Sequence, residues 1–292
     1  MKFSEGERVR HSNKPDWGIG QVLDDSDDEE VRVFFVGIGE KTLKSHYANL
    51  VKVSGSEADH PILDNLRASG EGKKLAYRSL PLLIENFIKT FPDGFYGEPY
   101  KRNERDYKLE AHQLLVSSLG REDFHSLLAT QEYAETVKRA LAVVNKTNII
   151  FPNEKMLLKD VVKTDNAKRL FSERLYSLLY GDSSVEQRFT GFADCLLEID
   201  AAKWTIFTYF PFIAFPQEHM FLKPIVTQEA AAVCGFELNY RKELNWLTYS
   251  KLLEFSKYLF NALSELKPRD MIDIQSFLWC TAKIDDGGYD VS

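Results

Sequence analysis

The sequence is poor in the residue patterns that would name a chemistry outright. Its three cysteines (Cys195, Cys234, Cys280) lie about 40 residues apart with no C-x-x-C pair, which excludes a disulfide framework and a zinc ribbon. Such scatter implies small buried apolar residues in a reducing compartment. The six histidines form no His-Glu-x-x-His pair and no Cys/His cluster, so the familiar metal-site signatures are missing. Neither a G-x-x-x-x-G-K-[ST] phosphate loop nor a G-x-S-x-G elbow occurs. Long apolar runs are missing too. The longest uncharged stretch, Trp204 to Gln217, has 14 residues and is broken by Pro211 and Pro216, whereas a bilayer helix needs about 20. The first residues, Met-Lys-Phe-Ser-Glu-Gly-Glu-Arg, lack the apolar core of a signal peptide. These features predict a soluble, cytoplasmic protein with no membrane contact, in which the aromatic stretch is a core element. Positive charge is not in excess: the net charge of −7 provides no global basic field for nucleic acid.

What is present divides in two. A chain of 292 residues with 44% hydrophobic and 28% charged residues has ordinary globular usage and room for one small domain and one larger. Twenty Phe and 13 Tyr predict a core rich in rings. The fold class expected is α+β: a small β-barrel over residues 1–53, a linker over 54–72 containing a short helix, and an irregular all-α domain over 73–292.

In the first part, Glu7 to His11 suits a short strand with Val9 inward. Trp17-Gly18-Ile19-Gly20-Gln21-Val22-Leu23 predicts a second strand with Trp17 and Ile19 on one face and glycines where a neighbouring backbone approaches. Val31 to Val36 has the strongest β-propensity in the chain. Lys41-Thr42-Leu43 and Leu50 to Val53 complete five strands, the count of a small closed or partly closed SH3-like barrel. Six of the ten acids in residues 1–53 fall in Asp24 to Glu30, which reads as an exposed hairpin tip. Without that run the unit is basic, with 8 Lys and Arg against 4 acids.

The pattern Val9-x-His11, Pro15-x-Trp17-Gly18-Ile19-Gly20-x-Val22, Val31-x-Val33-x-Phe35, Gly39-x-Lys41-x-Leu43 and Leu50-Val51 resembles a Tudor-like, SH3-like module. That module is shared by the RNA-polymerase-interacting domain of CarD-type transcription factors and the carboxy-terminal tail of UvrD/PcrA helicases. The resemblance covers about a sixth of the chain. It implies docking on RNA polymerase or another transcription or DNA-repair protein, without catalysis, in a bacterial setting. Arg8, Arg10, His11, Trp17, Arg32, Phe34, Lys41 and Lys44 are the candidate partner-binding residues. Trp17 and Phe35 also suit a barrel core, and direct nucleic-acid binding by the basic face is the second expectation, weak and salt-sensitive.

Ser54-Gly55-Ser56 and Ala68 to Gly72 mark the linker, with a two-turn helix expected from Pro61 to Arg67. Beyond it the apolar spacing is helical. Leu80, Leu83, Ile84, Phe87 and Ile88 follow i, i+3, i+4, i+7, i+8, and similar stripes begin at Tyr107 and Tyr133. Arg102 to Glu110, with opposite charges four apart, reads as a solvated helix face. Two later segments place charge among apolar residues, and charge near a core must be paired. One reading is a structural tie, Lys223 with Asp273 or Arg269 with Asp270. The other is a polar pocket of His219, Lys223, Arg269, Asp273 and Gln275 that binds a ligand or supports catalysis. No cofactor and no metal are implied.

Overall fold

The computed structural model describes residues 2–67 and 77–282. The weak point expected at Ala68 to Gly72 lies outside them, as does the start of the helical region at Lys73.

Five strands form one antiparallel sheet: β1 (Arg8–His11), β2 (Ile19–Val22), β3 (Glu30–Phe35), β4 (Gly39–Lys44) and β5 (Leu50–Lys52), in the order β4-β3-β2-β1-β5. Alternation decides which side chains go where, because successive residues of a strand face opposite ways. Val9, Val22, Val31, Val33, Phe35 and Leu50 turn to one face and bury a small cluster with Phe3 and Ala48. Gly20 sits opposite Phe35 in the register. A Cβ there would lie 2.7 Å from the Phe35 ring and 2.9 Å from the Phe34 carbonyl oxygen, so the close approach expected of this glycine is real. The expected barrel is not closed. Among the described residues β4 pairs only with β3 and β5 only with β1, leaving two open edges.

One further local expectation is corrected and one is borne out. Pro15–Trp17 is a 3-10 turn, made possible by the fixed φ of proline, so Trp17 leaves the strand. It meets Phe35 edge-on, 5.2 Å between ring centroids, whereas Ile19 turns to the opposite side and joins the large helical core. The acidic run forms the mostly exposed tip of the β2–β3 hairpin, as expected, and is held by its own hydrogen bonds. Asp27 Oδ1 accepts hydrogen bonds from the Glu29 and Glu30 amides at 2.8 and 2.6 Å, which lowers the pKa of its carboxyl. Ser26 Oγ and Asp25 Oδ1 accept the amides of Phe3 and Glu5.

The connection carries α1 (Pro61–Asp64), shorter than expected, and the rest is mostly helical: α2 (Leu80–Thr90), α3 (Glu98–Tyr100), α4 (Asp106–Leu119), α5 (Arg121–Ala129), α6 (Tyr133–Asn145), α7 (Pro152–Val161), α8 (Asp165–Tyr180), α9 (Val185–Glu198), α10 (Trp204–Ala214), α11 (Pro224–Val233), α12 (Trp246–Ala262) and α13 (Met271–Ala282). Start signals are legible. Ser184 and Gln187 make a reciprocal capping box on α9, and Asn245 and Thr164 cap α12 and α8. Every residue of α10 is buried, as a helix apolar on all sides must be, which places the aromatic stretch at the centre of the core. No helix of the described residues is long and apolar enough to cross a membrane.

The sheet packs directly on this helical body. Phe34 meets Tyr77 edge-on at 4.8 Å, and the Tyr77 hydroxyl donates to the Val36 carbonyl. Gly235, at φ +73°, lies where a Cβ would come within 2.9 Å of the Phe34 ring. Arg8 bridges to Asp64 at 2.6 Å and to the Ala58 carbonyl.

Candidate functional sites

The eight residues expected to contact a partner separate by burial. Phe34 is corrected: at 2% exposure it belongs to the seam between sheet and helices, since its register position opposite Gln21 puts it on the face away from the small valine cluster. Arg8 is spent on Asp64 and on Gln21. Arg32 is held between Asp24 and Glu40, 2.6 Å from each, and the Glu40 hydrogen bond raises its pKa. Trp17 and His11 are half-buried, their tilted rings 4.8 Å apart between centroids. Arg10, Lys41 and Lys44 are exposed. Lys41 lines a cavity of about 300 Å³ at the seam with Phe34 and Tyr77, remote in register from Arg10.

Beside Arg10 the sheet offers apolar surface that the sequence reading did not single out. Val51 stands opposite Arg10 in the β1–β5 register and is 56% exposed, and Tyr47, in the 3-10 turn before β5, is 77% exposed. The free edge of β5 thus carries an exposed apolar residue across from an exposed cation, with a second exposed apolar residue in the turn before the strand. Residues 3–53 match a family described as proteins of unknown function, DUF3553. No curated protein and no solved structure matches the chain. The DUF3553 segment coincides with the sheet and with the Phe3 strap that covers it, so both the apolar cluster and the exposed β5 edge belong to it.

The five residues of the expected polar pocket do not converge. Asp273 is fully buried and accepts from the Tyr100 hydroxyl at 2.7 Å, from Arg105 Nη1 at 2.9 Å and from Arg269 Nε at 2.9 Å. Asp270 takes the other side of Arg105, at 2.8 and 2.6 Å. The buried charges are tied, but not in the pairs expected, Lys223 with Asp273 or Arg269 with Asp270: Arg269 pairs with Asp273, and Arg105 with Asp270 and Asp273. Burial would push the Arg105 guanidinium down, but the Asp270 hydrogen bonds and the two carboxylate charges outweigh it and hold it above its ordinary value. Burial and the Asp273 charge push the Tyr100 phenol well up, which keeps it a donor. Gln275 belongs to a neighbouring cluster: Lys108 Nζ, itself fully buried, donates to Gln275 Oε1 at 2.6 Å, Ser276 Oγ at 3.1 Å and Glu104 Oε2 at 3.2 Å. His219 stacks on Tyr249 and shares a 3.0 Å hydrogen bond with it. Lys223 lies between the rings of Phe151 and Trp279, at 4.5 and 4.4 Å.

The solvated face expected at Arg102 to Glu110 is therefore corrected: Glu104, Arg105 and Lys108 are buried. The chain winds a π-helical turn over Lys101–Arg105, with the Asp106 amide donating to the Lys101 carbonyl five residues back. This wider turn puts Tyr100 and Arg105 on one inward face. A signal was available, because Glu104, Lys108, Ala111 and Leu115 fall at i, i+4, i+7 and i+11, and the last two are fully buried. Among the described residues no group of three or more His, Cys, Asp or Glu is placed to hold a metal. The three cysteines are buried and form no disulfide, and burial pushes the Cys195 and Cys234 thiols up to about 12.

Proposed function

We propose that the protein is a non-enzymatic interaction protein whose amino-terminal sheet docks on another protein. The strand order, with β5 returning beside β1, supports an SH3-like, Tudor-like unit left open at two edges. The observation that carries the docking reading is exposed Val51 opposite Arg10 on the free β5 edge, with exposed Tyr47 in the turn that precedes the strand, because exposed apolar surface at an unpaired strand is where a partner strand or loop adds. The resemblance to RNA-polymerase-interacting modules names the first partner to test. A non-catalytic body is supported by Arg105 being paired with Asp270 and Asp273, and Lys108 with Glu104.

Purified bacterial RNA polymerase core, immobilised, is the direct assay. The full chain is expected to bind, and Val51→Glu with Tyr47→Ala to weaken binding by about tenfold or more. A wild-type chain that does not bind the polymerase removes that partner, and a variant that binds equally well removes this surface. Duplex DNA retained by the full chain near 150 mM salt, roughly the physiological range, would favour the nucleic-acid alternative.

A further inference from the structure

A cavity of about 460 Å³, lined by no residue of the sheet, opens on the helical body between the first turn of α7, α9, the start of α10 and the loop 240–244. Its walls are mostly apolar: Leu197, Leu244, Tyr240 and the Trp204 ring line it. The loop is anchored, since the Trp204 indole N–H donates to the Arg241 carbonyl at 2.9 Å. This size and lining suit a small organic ligand.

Two polar groups among the described residues are buried with no hydrogen-bond partner, Thr205 Oγ1 and Glu154 Oε2. Both residues line this cavity, and Thr205 is only 1% exposed. An unpaired buried oxygen destabilises the fold by roughly 1–3 kcal/mol, more for a charged group, so two at one cavity mark a place where a donor belongs. Asp194, Glu243, Lys203 and Lys242 are exposed at the cavity's rim, two of each sign, so with Glu154 the lining carries one net negative charge. Glu154 is the charged residue of the lining that is not exposed. A carboxylate that accepts and a hydroxyl that can accept or donate, beneath apolar walls, suit a cation with N–H donors and a short hydrocarbon part.

We propose that this cavity binds a small organic amine in its ammonium form, the head group donating to Glu154 and Thr205 and the hydrocarbon lying against Trp204, Tyr240, Leu197 and Leu244. Helical body and sheet then carry separate binding functions.

Nuclear magnetic resonance titration of the full chain with phenethylamine, 2-phenylethanol and phenylacetate tests it, three probes of one shape with positive, zero and negative charge. Phenethylamine is expected to shift the Trp204 indole N–H signal saturably and to bind about tenfold or more tighter than the alcohol, with phenylacetate weaker still. Glu154→Gln keeps the shape and removes the charge, and is expected to abolish the preference for the amine. Thr205→Val, which removes the hydroxyl alone, is expected to weaken the amine several-fold and supplies the test if the first variant does not fold. No saturable shift at Trp204, equal affinity for the three probes, or unchanged amine binding in both variants would overturn the proposal.

Discussion

His219 is 8% exposed and rests on Tyr249 in the aromatic core, and burial pushes its imidazole down to about 4. In the unfolded chain the same ring takes a proton near its ordinary 6.5. Between those values the unfolded state binds the additional proton, so the stability contribution is complete above about pH 6.5 and is lost as pH falls toward 4. His219→Gln is expected to remove roughly 2–3 kcal/mol of the fall in unfolding free energy between pH 7 and pH 4, read from urea titrations at each pH. Equal pH slopes in the two proteins would refute the neutral buried ring. At this scale the sequence was informative where chemistry is local: Gly20 is a close-approach glycine and the cysteines are buried, as their types imply. His219 among apolar residues was noticed, but its company was not legible, because Tyr249 is 30 residues away.

Between elements, the buried charges tie the π-helical turn and α4 to α13. Asp273 receives Tyr100, Arg105 and Arg269 together, while Asp270 holds Arg105 a second time. Removing one member of such a group leaves charge buried without its counter-charge, which costs far more than the pair gains over a hydrophobic substitute. Asp273→Ala is therefore expected to lower the unfolding free energy by about 3–5 kcal/mol in urea; a loss under about 1 kcal/mol, the range of exposed ion pairs, would show that the cluster is solvated. Helices α2, α4, α6, α8 and α9 follow from spacing and caps in the sequence. The π-helical turn does not, since opposite charges four apart suit a wet surface and a buried ladder equally well. The apolar residues continuing the Glu104–Lys108 stripe were the sign that the helix turns that face inward.

For the molecule as a whole, the decisive contact is the one between sheet and helices. Ile19 and Phe34 leave the small cluster inside the sheet and join the helical core, and the Arg67 and Glu237 amides bond across to Gly235 and Asn65. Two units that share a core this way lose stability together. Far- and near-ultraviolet circular dichroism are expected to report one coincident urea transition, and Phe34→Ala to cost about 3–5 kcal/mol and to separate melting of the sheet from that of the body. Two resolved transitions in the unaltered protein would contradict the shared core. The division into a strand-rich start and a helical remainder was determined by the sequence alone, because periods of 2 and 3.6 and the residues that punctuate them act within a few positions. The open edges of the sheet, the burial of Phe34, the partners of Asp270 and Asp273 and the cavity over Thr205 were decided only by tertiary structure. Each depends on groups brought together from distant parts of the chain, Arg105 and Asp270 being 165 residues apart, and such pairings leave no local periodicity to read.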